Sequence, residues 1–361
     1  FCLGSEWSRY IRRTHNLFLV SSKDGKKIGQ AILFQAEWTN YIILNGYKSI
    51  KETLGKKPEN FVDRPTVPLI SQMRLGKKCG GIVFARCCDG WKDQRKFLVS
   101  ILKTLAGRNR MVKEKISEEA EYLCYELRSK EGSFFDPRIL TVRAVSNVVC
   151  VLTFGDRFEY NDMKFMRLMN LIDQFTMGIV SILPQLLAAG KWLFYFPGPH
   201  RKVLQSYEEL CVLIREIVNE HRKTRDPNFP RDIIDAYLEE IEKAEGNPDS
   251  SFTEDNLINM VFDLFVAATE TTASVVLWGL LILGNYPDVQ RRVHEEMDKV
   301  VGRAKCPMME DQQNLPYTNA VIHEMQRFAD TMPLMLTKQN SVDFPDLIVS
   351  VLGIQCEEKY I

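Results

Sequence analysis

The sequence predicts a mainly α-helical fold with a small β region. Three observations predict it: apolar residues recur at three- and four-residue steps through most of the chain after Ser49, one apolar helical stretch runs unbroken from Thr253 to about Leu283, and β-branched and aromatic runs concentrate before it, near the start of the chain.

Ala31 to Phe34 and Tyr41 to Leu44 are strand-like runs, and Asn45-Gly46 follows the second, so a small twisted sheet with tight turns is expected. Helical spacing then covers Ser49 to Leu54, Asp89 to Leu105 and Lys113 to Arg128. Asp136 to Phe154, Asp162 to Leu183, Lys202 to His221 and Arg231 to Glu245 follow. They are punctuated by Pro137, Gly155, Pro197-Gly198-Pro199, Pro227 and Gly246. Thr253 is a good N-cap for the long helix, with Glu254 and Asp255 in the first turn where the helix dipole favours acids. Gly284, Asn285 and Pro287 end it, and helices over Asp288 to Val301 and Thr318 to Phe328 complete the regular part. Gly178 to Phe196 is unusually apolar but interrupted by Pro184, Gly190 and Lys191, which argues against a span. It reads as a core helix with its loop, or as a loop tip dipping into a membrane interface.

Composition narrows the function classes. The chain has 361 residues, 45% hydrophobic and 26% charged, enough for one large domain or two smaller ones. Lys plus Arg and Asp plus Glu each number 47, so no basic excess points to nucleic acid and no acidic excess to a solvating role. Nine cysteines, none in a CxxC pair, suit a reducing compartment without a disulfide framework. The chain opens on Phe1 with no visible signal or anchor, and both ends are expected to be incomplete.

Three constellations carry chemistry. The first is the run Asp263 to Thr272 in the long helix, with apolar neighbours on every face, so a buried helix is expected. A carboxylate at Glu270 is costly there unless it has a partner or a task. Ala267 and Ala268, one turn before Thr271, leave room for a flat group, and the threonine hydroxyls favour a local widening of the helix. An acid and an alcohol in such a groove can deliver protons to a buried, metal-bound oxygen; a helix whose threonines satisfy themselves is the alternative. Trp91 and Arg95 share a helix face, where indole N–H and guanidinium suit a carboxylate or phosphate, or simply form a stacked surface pair. Glu324 and Arg327 can lock a buried turn or form a surface ion pair.

Phe61-Val-Asp-Arg64-Pro65, Trp91-x-x-x-Arg95, Ala267-Ala-Thr-Glu270-Thr271-Thr and Glu324-x-x-Arg327, in that order, resemble the cytochrome P-450 superfamily. The likeness points to its microsomal family 2, with D and J flavours. Arg231 to Leu238, Asn314 to Thr318 and Arg327 to Leu334 resemble that family's connecting text, and the resemblance spans about residues 30 to 340. It implies a haem-thiolate monooxygenase that inserts one atom of dioxygen into an apolar small molecule such as a xenobiotic, steroid or fatty acid. Trp91, Arg95 and Ala267 then match cofactor-binding positions, and Glu270 and Thr271 the catalytic acid–alcohol pair. Glu324 and Arg327 match the core ion pair. Electrons are implied to come from NADPH through a flavoprotein reductase, at the cytosolic face of the endoplasmic reticulum membrane.

The sequence also departs from the family. Ala268 replaces a glycine, and Leu105 to Arg110 strays from the Gly-rich text expected there. Residues 1–340 read as an incomplete family domain and 341–361 as a tail outside it, so the expected fold lacks its C-terminal haem-ligand part. Cys356 lacks the neighbouring Phe, basic residue and Gly spacing of the family's cysteine loop, so no metal ligand is assigned and the chain is expected to be inactive as it stands. Leu347 to Ile354 is apolar and β-prone, an aggregation hazard if exposed. The competing expectations are a non-catalytic remnant that binds partners, or an unrelated helical scaffold.

Overall fold

The computed structural model describes residues 31–36, 39–44, 46–74, 80–108, 110–179, 181, 194–227, 229–329, 331, 338–339 and 347–351. Cys356 and most of the apolar segment after Gly178 therefore lie outside the described residues.

Two strands, β1 (Ala31–Ala36) and β2 (Thr39–Leu44), pair antiparallel in the register Ala31 opposite Leu44. A helical turn α1 (Tyr47–Ile50) passes into a π turn (Lys51–Gly55), where one helix was expected. A 3-10 turn (Pro58–Phe61) and α2 (Pro68–Met73) follow; α2 carries Pro at its start, where a missing N–H is harmless. Then come α3 (Asp89–Arg108), α4 (Arg110–Arg128), α5 (Arg138–Phe154), α6 (Met163–Ile179), α7 (His200–Thr224) and α8 (Ile233–Lys243). The long helix is α9 (Glu254–Asn285), followed by α10 (Pro287–Val300), a 3-10 turn (Met309–Asn314) and α11 (Pro316–Ala329). Two late strands, β3 (Lys338–Gln339) and β4 (Leu347–Val351), join the first pair in the order β1-β2-β4-β3, with β4 parallel to β2. The stretch read as a tail thus supplies an inner strand, paired with β2 along Leu347 to Val351 and with β3 at Ile348 and Val349.

The core gathers around the first half of α9. Leu257, Ile258, Met260, Val261, Phe262 and Phe265 are closed off by α5, α6 and α7. Phe262 sits edge-on between Phe175 and Tyr207, with ring centroids 4.8 and 5.0 Å away. Polar residues in this half are bonded: Thr253 accepts from the Asn256 backbone N–H as N-cap, and the Tyr207 hydroxyl donates to Asn259 at 2.6 Å.

The second half of α9 differs from expectation. Among the described residues α9 is the helix long and apolar enough to cross a membrane, yet only 11% of its most apolar 18-residue stretch is buried. The sequence is apolar all round, and up to Phe265 nearly every side chain is buried; beyond that point Thr269, Ala273 and Ser274 are buried and Trp278 packs on Phe328 of α11, while the remaining side chains stay partly open. The helix also remains regular α through Thr271, without the widening expected there.

Candidate active site

The open part of α9 begins at the acid–alcohol motif. Ala267 is exposed, and Glu270 and Thr271, one turn on, are half-buried. The Thr271 hydroxyl donates to the Ala267 carbonyl at 2.6 Å. This back-bond spends its proton on the helix and leaves its lone pairs toward the open side, so Thr271 stands as an acceptor until that bond breaks. Burial pushes the Glu270 carboxyl above its ordinary pKa; Arg138 on α5 counters this in part and Asp173 on α6 adds to it. Those two charges are themselves 3.5 Å apart, so neither is wholly devoted to Glu270. Glu270 therefore holds its proton to higher pH than a solvated glutamate.

Asp263, two turns earlier, is fully committed. Its carboxylate accepts the backbone N–H groups of Ile82 and Val83 at 2.7 and 2.9 Å and pairs with buried Arg74. It is a structural clamp on the loop before α3. Gly81 sits under the clamp at φ 88°, where a Cβ would lie 2.5 Å from the Asp263 carboxylate. Asp63 holds the far end of the same loop, accepting from the Arg86 guanidinium and from the Cys87 backbone N–H. Burial alone would raise the Asp63 pKa, but Arg86, Cys87 and Arg64 together hold it below the usual carboxylate value.

Trp91 is tied to this loop. Its indole N–H, expected to meet an anionic group, donates here to the Ile82 carbonyl at 3.0 Å. Arg95 does lie on the same face, its guanidinium 5.9 Å from the indole ring, and its side chain is exposed. Lys338 on β3 completes the arrangement: burial first, then Arg64 and Arg95, push its ammonium below the ordinary lysine pKa. Gln339 bridges to Asp63, which sets Lys338 beside Arg64, and the charges of Arg64 and Arg95 both act on Lys338; such a set of cations suits an anionic group. Sequence reading took Arg64 only as motif text and missed Lys338. A lone lysine on a two-residue strand carries no local signal, and only the long-range bridge of Gln339 to Asp63 brings it beside Arg64.

The third pair is formed, but it is not a core lock. Glu324 accepts from Arg327 at 2.7 and 2.5 Å in a two-pronged bridge, and the side chains are 36% and 28% exposed. Arg327 holds the Glu324 carboxyl below its usual pKa. Buried His221, Asp232 and Asp235 lie close enough to share a metal. Their ligand atoms are already engaged with each other, with Arg231 and with backbone groups, so the trio reads as a helix-capping network.

Comparison with known proteins shows the family. A family model described as Cytochrome P450 matches residues 8–347. Cytochrome P450 2D15 of Canis lupus familiaris is 39% identical over 318 residues, 88% of this chain and 64% of that protein. Cytochrome P450 2D19 of Callithrix jacchus is 41% identical, and cytochrome P450 2D6 of Homo sapiens 40%, each over 319 residues, 88% of this chain and 64% of theirs. The chain spans 64% of the length of these curated relatives.

Proposed function

The chain belongs to the cytochrome P450 family, and from that premise we propose that it carries the oxygen side and the propionate side of a haem-dependent monooxygenase. The reaction class is insertion of one atom of dioxygen into an apolar small molecule, a xenobiotic, steroid or fatty acid. The observation that carries the reading is the opening of α9 at Ala267 and Thr271, beside a half-buried carboxyl with a raised pKa.

Haem would supply the iron at which oxygen is activated, with a thiolate ligand lending the electron density that favours O–O cleavage. This chain's residues would do the rest. Arg95 and Lys338, with Arg64, would hold the propionates. Trp91 fixes the loop before α3 through the Ile82 carbonyl. Exposed Ala267 would leave room beside the helix for a flat group. Glu270 holds a proton, and Thr271, by releasing the Ala267 carbonyl, turns from acceptor to donor and passes a proton on. Glu324 and Arg327 steady α11. Electrons come from NADPH through a flavoprotein reductase, and the protein works at the cytosolic face of the endoplasmic reticulum membrane.

The sequence contains no Phe-x-x-Gly-x-x-x-Cys-x-Gly loop, so we propose that residues 1–361 alone do not provide the axial thiolate and do not turn over substrate. Haem titration of the purified chain tests both parts. We expect a Soret band that is weakened by Arg95→Ala and by Lys338→Ala, without the thiolate-type band when reduced and exposed to carbon monoxide. Haem affinity indifferent to both substitutions overturns the cation assignment; a thiolate-type band overturns the inactivity.

A further inference from the structure

Between α10 and α11 the chain crosses α4 as a strap. Lys113 Nζ reaches Glu310 Oε1 at 2.7 Å, and Ser117 Oγ lies 4.0 Å from Met308 Sδ. Glu310 lies in the 3-10 turn and Met308, its N-cap, is extended at φ −112°, ψ 159°; from Met308 back toward Cys306 two extended residues span ~6.6 Å, close to the about 6 Å that four residues of helix advance. Continuing the register sets Cys306 against Glu121, with Cys124 the next residue on that stripe of α4. The electrostatics agree: the Cys306 thiol is pushed up by burial, then by Glu121 and Cys124 beside it. Both cysteines are free thiols, Cys124 exposed and Cys306 half-buried.

We propose that Cys124 and Cys306 are a reversible disulfide site that fastens the strap to α4. The oxidant is a small disulfide of the glutathione type. Exposed Cys124, as thiolate, attacks one sulfur of it; that S–S bond breaks and one small thiol leaves. Cys306, its proton lost to water, attacks the Cys124 sulfur of the mixed disulfide and displaces the second small thiol. Two protein thiols are oxidised and one small disulfide is reduced to two thiols. The second exchange is the slow one, since the thiolate of Cys306 forms beside Glu121, and it quickens as pH rises. Closing the link fixes the connection that leads into α11 and its Glu324–Arg327 pair.

The whole chain is equilibrated in glutathione buffers of rising disulfide fraction, then alkylated, digested without reductant and weighed by mass spectrometry. A peptide pair joining Cys124 to Cys306 should dominate the oxidised products, vanish with dithiothreitol, and be at least tenfold rarer when oxidation is done in urea. Cys306→Ser should leave Cys124 as a persistent glutathione adduct. The proposal is overturned if no joined pair appears, if Cys124 joins Cys87 or Cys88 as readily, or if the unfolded chain gives the same yield.

Discussion

The two halves of α9 are equally apolar by sequence and stand in opposite surroundings. From Asn256 to Phe265 nearly every side chain is buried, and the polar ones among them reach partners: the Asn256 amide donates to the Ser251 carbonyl just before the helix, Asn259 accepts from Tyr207 on α7, and Asp263 accepts from the loop before α3. From Val266 onward the helix is partly open, and exposed residues such as Ala267, Thr272 and Leu280 are small or apolar. The difference teaches that bonded polar residues accompany the half that this chain covers closely, whereas the partly open half holds one half-buried acid, Glu270, and a buried hydroxyl without a partner, Thr269. Hydropathy alone does not separate the two cases.

If the first half is held by its polar bonds, removing the central one should cost most. Asp263→Ala leaves the Arg74 charge buried without its partner and the Ile82 and Val83 N–H groups without an acceptor. A loss of about 3–5 kcal/mol is expected in urea unfolding, whereas Asp263→Asn should lose less because it keeps one acceptor. A loss under about 1 kcal/mol for the alanine variant would mean that Asp263 does not hold the loop. Gly81→Ala probes the same clamp from the other side. Its φ of 88° and the 2.5 Å approach of a Cβ to Asp263 predict a loss of about 1–3 kcal/mol. Combined with Asp263→Ala, it should cost less than the sum of the two, since the carboxylate it clashes with is gone.

Much of this was legible in the sequence, and the limits are physical. Helix positions followed from apolar spacing, and α9 was placed to within two residues because Thr253 caps it and Gly284-Asn285 ends it. The short α2 and β3 were missed because neither is long enough to show a period. The sheet order was not legible either: β4 pairs with a strand some three hundred residues earlier, and no turn chemistry announces a parallel partner. At the site, Glu270, Thr271 and Arg95 stood out by residue type, whereas the role of Trp91 depended on where the Ile82 carbonyl points. Lys338 became visible only through the electrostatics of its neighbours.

The open half gives smaller effects with informative signs. Glu270 has its folded pKa raised, so the unfolded state releases the proton first, and stability falls as pH rises from the usual glutamate range through the folded value. Glu270→Gln should remove that fall. It should be neutral at pH 4 and stabilising by about 0.5–1 kcal/mol at pH 8 in thermal unfolding. The same benefit at both pH values would show that the Glu270 carboxyl is not held in a raised state.

The smallest effect, and the sharpest contrast, comes from two threonines two residues apart. Thr271 lies on the open side and bonds the Ala267 carbonyl, whereas Thr269 is fully buried and its hydroxyl has no hydrogen-bond partner among the described residues. Valine matches threonine in shape and removes the hydroxyl. At 269 it deletes an unsatisfied buried group and should stabilise by up to about 1 kcal/mol. At 271 it deletes a satisfied, partly solvated one and should change stability by less than about 0.5 kcal/mol. Equal responses at the two positions would erase the distinction between the closed and open faces of α9. Opposite responses would locate the boundary within a single turn, with Thr271 on the face where a proton can be passed and Thr269 on the face where it cannot.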